Sequence, residues 1–162
     1  MAVAAMAAVL LCGGGVAALA DPLTLAVNAG AIGIKRHATD PSVGLEAQLA
    51  PGYWGLQGVV GAAAEGGAQY GYLALRREFW LRSGRFGLVP FFGIGYYRQG
   101  TGFDLGSELE FMSGLEAAWR LTERSTVGLR FFHLSNGSIS DRNPGTEALT
   151  ASYSWRFGAR EH

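Results

Sequence analysis

Three polar side chains stand where a strand pattern calls for apolar ones. Along residues 127–135 the apolar odd positions Val127, Leu129 and Phe131 continue, by the same parity, to His133 and Ser135. A second segment, followed back from Phe157 through Trp155, Tyr153, Ala151 and Leu149, brings Glu147 onto the corresponding face. Side chains two apart on a strand project from the same side, with Cα atoms roughly 6.5–7 Å apart. An imidazole at 133 can therefore reach an Oγ at 135 and act as general base. A carboxylate on the neighbouring strand can hold the other ring nitrogen, which fixes the tautomer and stabilises imidazolium. Nucleophile, base and orienter together are the working parts of a serine hydrolase. His-x-Ser by itself is more often a structural histidine at a strand end; the acidic third member of matching parity is what points to catalysis. No Gly-x-Ser-x-Gly elbow is present, so the sequence gives an α/β-hydrolase no support. His37, His133 and His162 are too far apart for a metal set, and no cofactor is implied. Asn136-Gly137-Ser138 matches a glycosylation sequon, a tripeptide common by chance.

The elements that must position these residues follow from period-two alternation. It is clear in Ser42–Leu49, Phe111–Arg120 and Leu149–Phe157, and weaker near 23–35, 53–62, 69–80, 86–98 and 125–136. Turn chemistry separates these segments at Asp40-Pro41, Pro51-Gly52, Glu65-Gly66-Gly67, Ser83-Gly84, Gly100-Thr101-Gly102, Thr122-Glu123 and Asn143-Pro144-Gly145. Eight strands of about ten residues predict an all-β fold, an eight-stranded antiparallel transmembrane β-barrel. With the amino terminus in the periplasm, Pro51-Gly52, Ser83-Gly84 and Thr122-Glu123 are short periplasmic turns. The connections near 36–41, 63–68, 99–105 and 137–145 are then longer and extracellular. Tyr53, Trp54, Phe79, Trp80, Tyr96, Tyr97, Trp119, Tyr153, Trp155 and Phe157 fall near strand ends, as interfacial girdles do. So narrow a lumen is filled by side chains rather than open, and Glu46, Glu116 and Arg120 are expected to pair inside it.

Composition fits. The 162 residues hold 13 basic and 13 acidic side chains, a balance that argues against nucleic-acid binding, which needs a basic surface. A mean hydropathy of +0.15 with 16% charged residues excludes a disordered chain. Residues 1–20 are uncharged, Ala-rich and end in Ala18-Leu19-Ala20, which predicts a signal peptide, although the usual basic start is missing. Its removal leaves one domain, 21–162, and takes away Cys12, the only cysteine.

His133-Leu134-Ser135-Asn136, followed by Asn143-Pro144-Gly145 and Glu147, resembles the PagL-type lipid A 3-O-deacylases, eight-stranded outer-membrane barrels. Pro90-Phe91 with Gly93 and Gly95 is similar to the family's fifth strand. The resemblance implies an ester hydrolase that removes the 3-O-linked acyl chain of lipid A, with Ser135 as nucleophile, His133 as base and Glu147 as orienter. It also implies that Asn136 and Asn143 shape the active site or oxyanion hole, with the Gly137 N–H an alternative donor. Leu129, Phe131 and Leu149 would line the acyl chain, and the saccharide would meet the extracellular loops. The implied partner is lipopolysaccharide in the outer leaflet of the bacterial outer membrane; the assembly is open between monomer and homodimer. This chain departs from the family at Phe132, where a basic residue is expected, at Gly137 in place of alanine, and in its tail beyond Phe157.

Two other readings compete. A non-enzymatic barrel of the OmpA/OmpX kind, an adhesin or anchor, would have no reason to keep three outward polar residues together. A soluble lipocalin-like carrier would need a large apolar cavity, and the outward hydrophobic belt is against it.

Overall fold

A sheet with one apolar and one polar face can do away with both of its unpaired edges only by closing on itself. The computed structural model, which describes residues 23–34 and 39–158, is such a closed sheet. The expected signal segment lies outside the described residues, as do His37 and His162. The strands are β1 Thr24–Ile32, β2 Asp40–Gln48, β3 Leu56–Glu65, β4 Ala68–Arg77, β5 Phe79–Trp80, β6 Phe86–Arg98, β7 Leu109–Arg120, β8 Ser125–Ser135 and β9 Thr146–Arg156. β4 and β5 both pair with β6, as Arg76 with Phe91 and Phe79 with Leu88, so they form one stave interrupted at Glu78. Eight antiparallel staves result. β1 closes them by pairing with β9 from Thr24 opposite Arg156 to Ile32 opposite Ala148. Closure leaves no unpaired edge, the condition for a strand architecture to cross a bilayer.

The two faces separate by parity. Leu25, Val27, Val43, Leu45, Leu73, Leu75, Leu115 and Leu129 are exposed on the outside, whereas Glu46, Gln48, Arg76, Glu116 and Arg130 are buried inside. The lumen holds a charged layer and an aromatic layer. In the charged layer Arg130 Nη1 meets Glu46 Oε1 at 2.6 Å and donates to Asn28 Oδ1 at 2.9 Å, while Tyr72 Oη donates to Glu46 Oε1 at 2.7 Å. Glu116 lies 3.7 Å from Arg76 and 3.8 Å from Arg130, and accepts a hydrogen bond from Ser152 Oγ. Beside it pack Tyr70, Tyr72, Phe91, Tyr97 and Phe132, all buried. These rings fit because glycines face them: a Cβ at Gly61 would overlap Tyr72, and one at Gly114 would lie 2.5 Å from both Phe91 and Phe132.

The structure corrects several expectations. Arg120 does not join the lumen ion pairs; its guanidinium lies over the Trp80 ring at 3.9 Å. Tyr97 turns inward rather than into a girdle, and its hydroxyl donates to Phe103 O at 2.9 Å. Residues Tyr53–Gly55 form a short 3-10 turn before β3 instead of beginning it. The connection expected over 63–68 is only Gly66-Gly67, where φ of +56° and +101° makes the tight turn that suits strand twist. Asp40 and Pro41 open β2 rather than forming a turn; so near a strand start the missing proline N–H costs little. The connections of 99–108 and 136–145 are the two long ones, and they lie beside each other at one end of the barrel.

Candidate active site

β8 and β9 run antiparallel with His133 opposite Glu147. The buried positions of β8 include Arg130, Phe132 and Leu134, while Leu129 and Phe131 are exposed, so His133 and Ser135 belong to the outer face. On β9 the buried set is Thr146, Ala148 and Thr150, which puts Glu147 and Leu149 outside. His133 Nδ1 is 3.5 Å from Glu147 Oε1, an electrostatic contact longer than a good hydrogen bond. The His133 side chain is 44% exposed and that of Glu147 only 14%, so the carboxylate is shielded while the ring edge remains open. Ser135 ends β8, half-buried, opposite Phe111 of β7. Among the described residues Ser135 Oγ makes no hydrogen bond to His133. Such bonds commonly tighten only when substrate is present.

Gly145, which sequence reasoning placed only in a turn, supports the imidazole from behind. It is buried with φ +55°, and a Cβ there would lie 2.8 Å from His133 Cε1 and 3.2 Å from Nε2. Only a residue with no side chain leaves that ring edge free.

The two asparagines differ. Asn136 is fully buried and, one residue past Ser135, faces the opposite side. Its Nδ2 lies 2.7 Å from Arg142 O, 3.0 Å from Ser140 Oγ and 3.1 Å from Leu105 O, and its Oδ1 accepts from Ser138 N at 2.9 Å. Those bonds tie the 136–145 connection to the 99–108 connection; Arg142 adds an ion pair with Asp104 at 2.9 Å, and Ser140 Oγ donates to Gly106 O. Asn143 Oδ1 accepts from the Asn136 N–H at 3.1 Å, and its Nδ2 donates to Ser138 Oγ at a long 3.3 Å. Gly137 and Ser138 take φ of +62° and +63°, a tight reversal directly after Ser135. The loop partners Leu105, Ser140 and Arg142 carry no sequence signal, because they meet Asn136 only once the barrel has closed.

Below the polar group Phe131 pairs with Leu149 and Leu129 with Ala151, an exposed apolar strip leading away from His133. Phe132 points the other way, buried in the lumen against Phe91 with ring centroids 6.1 Å apart.

Comparison with known proteins bears on this site. The family described as lipid A 3-O-deacylase (PagL) matches over residues 33–156. Lipid A deacylase PagL of Bordetella bronchiseptica is 32% identical over 53 residues, which is 33% of this chain and 30% of that protein. The aligned stretch thus spans about a third of that relative's length. Among solved structures, the outer membrane enzyme PagL superposes with a TM-score of 0.60 at 20% identity, over 82% of this chain and 98% of that one. Neisserial surface protein A (NspA) gives 0.58 at 12% identity, over 85% and 97%, and a de novo designed transmembrane β-barrel gives 0.61 at 12%, over 84% and 95%. At such identities these likenesses concern the fold.

Proposed function

The chain belongs to the lipid A 3-O-deacylase (PagL) family, and from that premise we propose that it hydrolyses the ester-linked acyl chain at the 3-position of lipid A. The reaction would run on the outer face of the barrel, in the outer leaflet of a bacterial outer membrane. The observation that carries this reading is the His133–Glu147 contact of 3.5 Å on the face that also bears Ser135.

Ser135 Oγ attacks the ester carbonyl while His133 accepts its proton, and Glu147 at Nδ1 stabilises the imidazolium. The tetrahedral intermediate collapses as His133 returns the proton to the departing sugar oxygen, leaving acyl-Ser135. Water, deprotonated by His133, then attacks the acyl group; the fatty acid leaves and Ser135 recovers its proton. The exposed edge of His133 lets that water in from the long-loop end. Asn136 has its Nδ2 committed to loop acceptors, so its role is to hold the reversal after Ser135. The Gly137 N–H and Asn143 Nδ2 are the donors left to receive the oxyanion. Leu129, Phe131 and Leu149 accommodate the acyl chain, and the saccharide lies against the connections 99–108 and 136–145. No cofactor takes part.

Mass spectrometry of lipid A from cells producing the protein tests this. Loss of one ester-linked acyl chain with the native sequence, and retention with Ser135→Ala, is the expected result. Equal acyl content in the two would end the proposal.

A further inference from the structure

At the end of the barrel away from His133, Arg82, Arg85 and Arg120 stand at one turn, and Arg77 lies on the stave that leads into it, its Nε 3.8 Å from where a Cβ on Gly55 would stand. Arg77 closes β4, Arg82 and Arg85 lie in the 81–85 connection, and Arg120 ends the neighbouring β7. The turn is tight: Gly84 N donates to Leu81 O at 2.8 Å, and Arg120 N donates to Arg85 O at 2.8 Å. A Cβ on Gly84 would stand 3.9 Å from Arg120 Nη1, so that guanidinium overhangs the turn. Two of the cations are held by rings, Arg120 over Trp80 and Arg77 over Phe79 at 4.9 Å. Glu78, the carboxylate beside them in the chain, is engaged elsewhere: it faces Arg76 at 3.5 Å and accepts from Trp80 Nε1 at 2.8 Å. Among the described residues none of the four arginines forms an ion pair with a carboxylate.

The surroundings fix the depth of this patch. Phe79, Leu81, Phe86, Leu88, Trp119 and Leu121 are exposed on the outer face at this end, with Phe86 and Trp119 in edge contact at 4.1 Å. They mark the rim of the apolar belt, the level at which aromatic girdles meet lipid headgroups. Guanidinium groups at that level match phosphodiester oxygens in both charge and fork geometry. We propose that the 81–85 turn is a docking site for the headgroup phosphate of an anionic phospholipid in the leaflet at this end of the barrel. The site anchors the barrel's short-turn rim in that leaflet. It does not depend on the proposed hydrolysis and involves none of its residues.

The test uses the full chain carrying Ser135→Ala, folded in detergent micelles, with bound lipid read by native mass spectrometry. The probes are phosphatidylglycerol and phosphatidylcholine with identical acyl chains, and inorganic phosphate as competitor. Phosphatidylglycerol should be retained about tenfold over phosphatidylcholine, and inorganic phosphate at equal concentration should not displace it. The triple variant Arg82→Gln, Arg85→Gln, Arg120→Gln should lose that preference, and Arg98→Gln, at the other end, should keep it. Equal retention of the two lipids by the unsubstituted surface, displacement by inorganic phosphate, or an undiminished preference in the triple variant would each overturn the proposal. The first two need no arginine substitution, so a folding failure cannot shelter it.

Discussion

His133 and Glu147 are partners across the β8–β9 ladder, with Nδ1 and Oε1 3.5 Å apart. A strand register therefore sets the distance between the proposed base and orienter, whereas the turn that follows Ser135 sets the position of the proposed nucleophile. The first is rigid. The second depends on how two loops are tied together.

Glu147→Gln keeps the shape of the acid but removes its charge and its preference for a protonated Nδ1. Turnover of lipid A should fall by roughly 10²–10⁴-fold with little change in KM, as loss of an orienting carboxylate does elsewhere. Steady-state kinetics on the micellar enzyme check this; an unchanged kcat would remove Glu147 from the mechanism.

Gly145→Ala adds a methyl 2.8 Å from His133 Cε1 at a φ of +55°. The backbone strain should lower stability by about 1 kcal/mol. The larger effect should be on kcat, because the ring must shift from its place beside Glu147. Urea unfolding and kinetics on the same preparation separate the two, and a drop in stability without any change in kcat would contradict the assignment.

Asn136→Ala leaves Leu105 O and the Ser138 N–H without the partner they have in the native chain, and Arg142 O with Ser140 Oγ alone. At about 1–3 kcal/mol for each group left unsatisfied, the tie between connections 99–108 and 136–145 should fail while the barrel persists. Limited proteolysis should then cleave within 136–145, and activity should fall with it. Protection equal to the native chain would show that the asparagine is not the tie.

Arg130→Met takes from Glu46 the cation that meets it at Oε1 and leaves Glu116 with Arg76 alone. Removing one partner of a buried ion pair typically costs about 3–5 kcal/mol. The midpoint of urea unfolding should drop accordingly, while kcat of the folded fraction stays near the native value because the lumen lies behind the site. A lost kcat in fully folded protein would tie the charged layer to catalysis.

Counting in twos makes the barrel legible. Outward Val43, Leu45 and Leu115 and inward Glu46 and Glu116 follow from parity alone, because a closed sheet has one wet or packed face and one apolar face. Parity says nothing of what fills the lumen. Tyr70, Tyr72 and Phe132 sit inside because glycines on facing staves make room for them, and that matching depends on register between segments far apart in sequence. The same reason hides Arg130, whose partners Asn28, Glu46 and Glu116 come from three other strands. Tyr97 was misplaced because a strand-end tyrosine serves equally as a girdle or as a lid, and only the path of residues 99–108 decides between them. At the site, residue types and spacing suggested His133, Ser135 and Glu147; Gly145 and the partners of Asn136 were invisible because loop contacts are set by tertiary closure.

The proposed nucleophile can be read most directly by covalent trapping. The folded chain is exposed to a long-chain fluorophosphonate, which phosphonylates an activated serine, and the adduct is located by peptide mass spectrometry. One adduct is expected, on Ser135, absent from Ser135→Ala and strongly reduced in His133→Ala. An adduct on a different serine, or full deacylase activity after Ser135 has been shown to remain unmodified and replaceable, would contradict it.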